Sequence, residues 1–472
     1  MNKIALFLIP LIVFTIFKTS CAQEGYKIEV KVKGSQDSVM YLVNYFADKQ
    51  YIKDTVENRG NGRFVFEGEE PLPHGIYIAA RQDKNYFEFL VTDNQNFSLT
   101  TSYDDLVGDM KVKGSKENKY FYQFLHFSGE TNKKINRLKT EMEELAEEKE
   151  DKKEALQDKI DSLNQSIPDY KEEFIEKHAG TFMAEVYNAT RDPEVPDAPE
   201  ELSEEEKEKW QYNYYVKHYF DNLDLSDERM LHTPVLHQRV SDFVENVLVK
   251  DPDSVIKAVD RLMEMTQGNK EIKKYLTWYI TNHSERSEIM GMDKVYVHMV
   301  DNYFDKEQTP WVSQKVLNNL KERADILRKL LIGKKAPNMI LEDTSGNLKP
   351  LHAVEADYLI VYFWEADCGH CQRKTPKLKK LYDEMKNQGV EVYSIYIDRN
   401  TPDKWKEYII DNELDWINVY DGRKWTNFGE LYDIYATPTV YLLDKNKKIL
   451  AKRVDMKQLR ELIERNQKMH DQ

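Results

Sequence analysis

Past a leading apolar stretch, the chain alternates with period two. Residues 26–32, 38–43, 63–66 and 75–79 place apolar and polar side chains in turn, in short bursts. Turn signals such as Asn61-Gly62 lie between them. Only a strand sends every second side chain to one face, so this spacing predicts an all-β, sandwich-like domain over residues 24–112. From Glu117 the period lengthens. Ile135, Leu138, Met142 and Leu145 recur at helical spacing, and Leu156, Ile160, Leu163 and Ile167 resume it beyond the charged stretch 147–153. Two helices packed within their own domain are the favoured account, ahead of a coiled coil between chains. Residues 191–199 read as a Pro-rich loop, and helices with Tyr-rich faces continue from Ser203 to about Leu331. A helical domain is therefore expected over residues 115–331.

Residues 332–472 read as a third domain, of α/β type. Residues 358–364, YLIVYFW, are continuously apolar, as in a strand buried on both faces. Residues 376–385 have helical period, with Leu378, Leu381, Tyr382 and Met385 on one side, and Gly389 ends that helix. A strand is expected over 390–397. Thr401-Pro402 then opens a helix, with Thr at the cap and Pro in the first turn. Residues 438–454 form a hairpin around 444–447, and a last helix starts near Met456. The predicted order is β-α-β-α-β-β-α.

The chain has 472 residues with a formal charge of −15. That length accommodates several cores without disulfide staples. Mean hydropathy is −0.72, and a charge of this sign gives no general affinity for phosphate backbones, which argues against nucleic acid as a partner. The one segment apolar enough to engage a bilayer is residues 4–17, short for a spanning helix and preceded by Lys3. Residues 1–20 are thus expected to be an export signal. Ser20-Cys21 resembles the box of a bacterial lipoprotein, in which the Cys21 thiol takes the lipid. Ordinary cleavage after Ala22 is the alternative, and a retained anchor a third. Each places the chain in the cell envelope: facing the periplasm as a lipoprotein held to the membrane by its lipid alone, or secreted to the periplasm.

Cysteine usage changes the picture most. The three cysteines are Cys21, Cys368 and Cys371. Lipidation consumes Cys21 and cleavage discards it, so the mature chain keeps two thiols at C-x-x-C spacing in an oxidising compartment. Linking residues so close removes little chain entropy, so a structural staple is a poor reading. Zinc requires four ligands, and no second C-x-x-C or paired histidine motif follows. His232 and His237 are spaced like a metal pair, but Thr233-Pro234 breaks the helix between them. A redox dithiol remains, with no cofactor and no metal.

The motif FWEADCGHC over 363–371 resembles the F-W-x-x-x-C-x-x-C core of thioredoxins, and Ala436-Thr437-Pro438-Thr439 resembles their cis-proline loop. Residues 333–337 and 343–346 resemble the lead-in of TlpA-like and AhpC/TSA-related envelope members. The predicted element order is also that of a thioredoxin fold. Long envelope lipoproteins of this kind carry a small β domain and a helical domain before the thioredoxin module, and residues 26–110 and 218–234 resemble parts of those two. The resemblance implies a thiol–disulfide oxidoreductase, reductase or isomerase-like, acting on disulfide-containing envelope proteins and recharged by a membrane or periplasmic thiol donor. A peroxidase is disfavoured, because no P-x-x-x-T-x-x-C precedes Cys368.

At a strand-to-helix turn the first cysteine sits at the helix N-terminus, where free N–H groups favour an anion. Cys368 is therefore the expected nucleophile and Cys371 the resolving thiol, the pair closing to a redox disulfide. Between them, Gly369-His370 is also the dipeptide of protein disulfide isomerase, whose couple lies near −180 mV against about −270 mV for thioredoxin. His370 as a cation favours the Cys368 thiolate, and Asp367 opposes it. The Thr437 backbone beside Pro438 could pair with a substrate strand. Two positions depart from the family: Tyr362 stands where thioredoxins bury an Asp, and Lys374 where TlpA-like members often carry a Glu. Water or Glu365 is left to take the Cys371 proton. The competing reading is an envelope binding or scaffold protein, with the thioredoxin module as a redox accessory.

Overall fold

The computed structural model describes residues 25–145, 150–305, 307 and 309–470. The predicted signal and Cys21 lie outside these residues. The chain forms two compact units, the first ending at Val240 and the second beginning at Ser241.

The first unit opens with strands β1 (Tyr26–Lys33), β2 (Val39–Phe46), β3 (Lys49–Glu57), β4 (Arg63–Gly68), β5 (Gly75–Ala80), β6 (Tyr86–Val91), β7 (Asn96–Ser102) and β8 (Lys111–Lys113). They build two four-stranded sheets, β4-β1-β7-β8 and β3-β2-β5-β6. Alternation decides which face is inside: Ile28, Val30 and Val32 of β1 are fully buried, and their neighbours are not. Phe89 of β6 meets Phe97 of β7 edge to face at 6.0 Å, joining the sheets as a sandwich. Strands β3, β6, β7 and β8 were not among the predicted bursts. β3 is almost wholly exposed, so it carries no burial pattern and is held by its ladder to β2.

Helices α1 (Lys116–Glu143) and α2 (Glu150–Lys177) pack against one another, antiparallel, with Phe127 stacked on Tyr170 at 4.8 Å and Tyr120 edge-on to Phe174 at 5.4 Å. This is the intradomain pair expected from the spacing. Helices α3 (Phe182–Ala189), α4 (Glu204–His218) and α5 (Pro234–Asp242) follow, α5 running into the second unit. α4 starts on a capping box between Ser203 and Glu206. His232, singled out for its spacing to His237, makes a 3.1 Å hydrogen bond to the Tyr45 carbonyl. Among the described residues no helix is long and apolar enough to cross a membrane.

The second unit contains helices α6 (Pro252–Met265), α7 (Lys270–Arg286), α8 (Asp293–Tyr303) and α9 (Gln314–Lys329), then strands β9 (Ile340–Asp343), β10 (Leu348–Pro350) and β11 (Tyr358–Trp364). After them come α10 (Gly369–Met385), β12 (Val390–Tyr396), α11 (Pro402–Asp411), β13 (Ile417–Tyr420), α12 (Phe428–Tyr432), β14 (Thr439–Asp444), β15 (Ile449–Lys452) and α13 (Met456–His470). The sheet order is β10-β9-β13-β12-β11-β14-β15. β11 is central, parallel to β12 and antiparallel to β14, and every residue of it is buried. Leu359, Val361 and Phe363 face one core with Leu330, Phe428 and Tyr432. Ile360, Tyr362 and Trp364 face the other with Cys371, Leu378 and Trp405.

Every element predicted for residues 332–472 is present, and four more join them: the β9–β10 hairpin, β13 and α12. β13 is four residues long and held between β12 and β9. Helix α10 starts at Gly369, so the periodic residues from 376 are its later turns, and it runs through Pro376. At Thr401 the hydroxyl does not cap α11; it bonds Asp398 Oδ2 at 2.6 Å. Gly389 closes the α10 segment in the left-handed region at φ 79°, and a Cβ there would lie 2.2 Å from Asp357 Oδ2.

Candidate functional site: a dithiol at a strand-to-helix turn

β11 runs through the middle of the sheet and stops at Trp364, and the chain turns through Glu365 to Asp367 into α10. Cys368 occupies the cap position of that helix, and its Sγ accepts the Cys371 backbone N–H at 3.3 Å. The cap role usually filled by a Ser or Asp oxygen falls here to sulfur. Both cysteines are free thiols, with Cys368 half-buried and Cys371 buried.

The two sulfurs are driven in opposite directions. Burial raises the Cys368 pKa, but hydrogen bonds from the Cys371 thiol and N–H, the Thr437 side chain and the His370 N–H outweigh it and leave the thiol below its ordinary value. Cys371 is pushed up to about 12, first by burial and then by donating its own proton toward Cys368. One thiol is made easier to ionise and the other is kept protonated beneath it.

The loop before β14 closes the site. Thr437-Pro438 is a cis peptide, and the Thr437 carbonyl accepts from Cys368 Sγ at 3.4 Å. Residues 69 apart in sequence thus meet at the Cys368 sulfur. Gly369 and His370 are exposed in the first turn of α10. His370 Nδ1 accepts from Arg373 Nη2 at 3.0 Å, so the cation in this contact is the guanidinium, a partner that was not singled out in the sequence. Asp367 is turned to solvent and pairs with Lys404 at 2.5 Å.

Glu365 meets Cys371 through its backbone, which favours the thiolate slightly. Its half-buried carboxyl is raised above the usual carboxylate range by burial, then by Asp398 and Asp367. It lines an open groove with Asp398, Arg399, Lys424, Trp425 and Phe428. Tyr362 donates to or accepts from Thr375 at 2.9 Å, one helical turn beyond Cys371, and burial holds its phenol well above the ordinary range. A neutral phenol bonded to a hydroxyl therefore stands where a buried carboxylate was missing from the sequence. Among the described residues no group of three or more His, Cys, Asp or Glu side chains could hold a metal ion.

A buried strand feeding a sulfur-capped helix, with a cis-proline loop opposite, defines the thioredoxin class. Residues 332–452 match the AhpC/TSA family, and the C-terminal domain of this chain is an AhpC/TSA-type, thioredoxin-like domain. Residues 142–329 match the domain of unknown function DUF5106, and residues 26–121 match DUF4369. The thiol-disulfide oxidoreductase ResA of Halalkalibacterium halodurans is 33% identical over 119 residues, covering 25% of this chain and 65% of that protein. The chain thus spans just under two thirds of that relative's length. A solved domain of a possible thiol-disulfide isomerase from Cytophaga hutchinsonii is 41% identical, covering 30% of this chain and 96% of that one, with a TM-score of 0.29. A solved thioredoxin-like protein from Bacteroides caccae is 25% identical, covering 57% of this chain and 97% of that one, with a TM-score of 0.46.

Proposed function

We propose that this chain is a thiol–disulfide oxidoreductase of the bacterial cell envelope that exchanges its Cys368–Cys371 dithiol with disulfides in protein substrates. One observation carries the reading: Cys368 caps α10 against the cis Thr437-Pro438 loop, where hydrogen bonds lower its pKa, while Cys371 three residues on is buried and pushed up to about 12. A structural pair has no use for such a division, whereas disulfide exchange requires one thiolate to attack and one thiol to wait.

The Cys368 thiolate attacks one sulfur of a substrate disulfide. That S–S bond breaks, the other substrate sulfur leaves as a thiolate and takes a proton, and a mixed disulfide forms through Cys368. The Cys368 sulfur no longer carries charge, so the repulsion against a second thiolate in the site falls away. Cys371 gives up its proton and attacks Cys368 Sγ, and the second substrate sulfur departs. Two electrons have passed to the substrate, and the pair is left as a disulfide. The proton of Cys371 passes to water, because Glu365 meets this thiol through its backbone and its carboxyl lines the groove beside Asp398. A membrane or periplasmic thiol donor restores the dithiol. The Thr437 backbone, already in reach of Cys368, offers an extended substrate segment a partner for its main chain.

The test is insulin-disulfide reduction and trapping. Cys368→Ala abolishes reduction. Cys371→Ala accumulates mixed disulfides, and peptide mapping finds them on Cys368. Trapping through Cys371 in the Cys368→Ala protein, with none through Cys368 in the reverse variant, inverts the assignment. A wild-type chain that reduces no protein disulfide sinks the reading.

A further inference from the structure

The loop that faces Cys368 is gripped by a residue outside the thioredoxin-like domain. Asp433 follows α12 in the left-handed region at φ 57°, and its N–H bonds the Gly429 carbonyl at 3.1 Å. Its side chain is 2% exposed. Both carboxylate oxygens are held by Arg323 of α9, Nη1 on Oδ1 and Nη2 on Oδ2, the latter at 3.2 Å. Arg453 adds a bond to Oδ2 at 2.5 Å, but its side chain is 53% exposed. The same Arg323 guanidinium lies 5.8 Å from the ring centroid of Tyr435 and 3.4 Å, through Nε, from Glu285 at the end of α7. Nearby, Leu330 and Ile326 pack into one core with Phe428, Tyr432 and Ile434. Four residues after Asp433 comes Thr437, with its carbonyl 3.4 Å from the nucleophilic sulfur.

We propose that Arg323 is a positioning residue for disulfide exchange: from the helical region it clamps Asp433 and Tyr435, and so fixes residues 433–437 against Cys368. The inference rests on the oxidoreductase reading above and adds to it a residue that precedes the AhpC/TSA match. A fork-on-fork pair fixes direction as well as distance, and a lysine cannot reproduce it. Losing the fork leaves a buried carboxylate with one mobile, half-exposed partner. The carboxylate then turns toward water, and the short segment attached to it follows. Thr437 withdraws from Cys368, taking with it both the carbonyl that accepts from the thiol and a side chain that favours the thiolate.

The experiment compares wild type, Arg323→Ala, Arg323→Lys and Asp433→Asn as full chains. Two readouts are taken: the pH midpoint of Cys368 alkylation, and kcat and KM for reduction of a disulfide-bonded peptide. With Arg323→Ala the alkylation midpoint shifts from the wild-type value, and kcat/KM falls about tenfold, mainly through KM. Asp433→Asn does the same, and combining it with Arg323→Ala adds little, because the two act as one unit. Arg323→Lys gives an intermediate loss. Folded variants with an unchanged midpoint and kcat/KM within twofold of wild type overturn the proposal. If Arg323→Ala does not fold, wild-type behaviour in Arg323→Lys overturns it, since the lysine lacks the fork. Failure of the oxidoreductase reading looks different: wild type itself then shows no turnover, while the alkylation midpoint still reports whether Arg323 acts on Cys368.

Discussion

The sharpest consequence of the site is the silence of Cys371. In Cys368→Ala this thiol stands alone, and burial, the larger of the forces raising it, is untouched. In the intact pair, a pKa of about 12 in place of the ordinary 9.0 leaves about one molecule in ten thousand as the thiolate at pH 8, against about one in ten for a free cysteine. Cys368→Ala removes the hydrogen bond and charge that Cys368 adds and keeps the burial, so ionisation slows alkylation by more than about tenfold and by no more than about a thousandfold, the full shift being equivalent to about 4 kcal/mol. The assay is iodoacetamide labelling of Cys368→Ala between pH 6 and 10, followed by mass spectrometry, with the same chain in urea as the reference. The reference chain should label with the midpoint of an ordinary thiol, and the folded chain should show no midpoint in that range. The sign for stability follows. A thiol whose folded pKa is raised stabilises the fold below the unfolded value, and that stabilisation is lost as pH rises from about 9 through about 12. Cys368, whose folded pKa is depressed, contributes in the opposite sense, gaining up to its unfolded value. Folded Cys371 labelling within tenfold of the urea reference would refute the burial argument and with it the division of roles.

Two further outcomes are expected. In the β domain the Arg81 side chain is 1% exposed, bonded through Nε to Asp37 at 2.8 Å and through Nη2 to the more exposed Asp83 at 3.1 Å, so Asp37→Ala removes the buried half of its pairing and should cost about 3 kcal/mol in urea unfolding; removing Asp83 should matter far less, and the reverse ranking would be wrong for this geometry. If residues 1–20 are a lipoprotein signal, Cys21→Ser in a bacterial host releases the chain from the membrane fraction or blocks its processing, and unchanged membrane association with normal processing leaves simple secretion.

The dithiol and its setting were legible because they depend on local rules. Seven apolar residues in a row, too few for a typical helix and rich in aromatic and β-branched side chains, read as a strand covered on both faces, and β11 is that strand. The helical period downstream and the motif together put the two cysteines on the first turn of a helix, and Cys368 caps it. β1 was visible because it buries one face, and β4 and β5 because short runs of apolar residues, buried on both faces, stand between turn signals. Strands without that signal were not: β3 buries almost nothing, and β13 is held by its neighbours' open edges more than by its own four residues.

Orientation and long-range charge were decided by the tertiary structure. The sequence offered Glu365 as a base but could not say that its backbone, and not its carboxyl, would meet Cys371 while the carboxyl gathered with Asp398 and Asp367. It marked His370 as a cation, and the fold supplied Arg373 as the donor to that ring. The Arg323–Asp433 clamp joins residues 110 apart, and nothing in either neighbourhood announces it. Local propensity and periodicity act over a few residues, so one chain suffices to reveal them. A buried charge pair or the aim of a carboxyl is set by whichever distant element packs beside it, and only the assembled core fixes that choice.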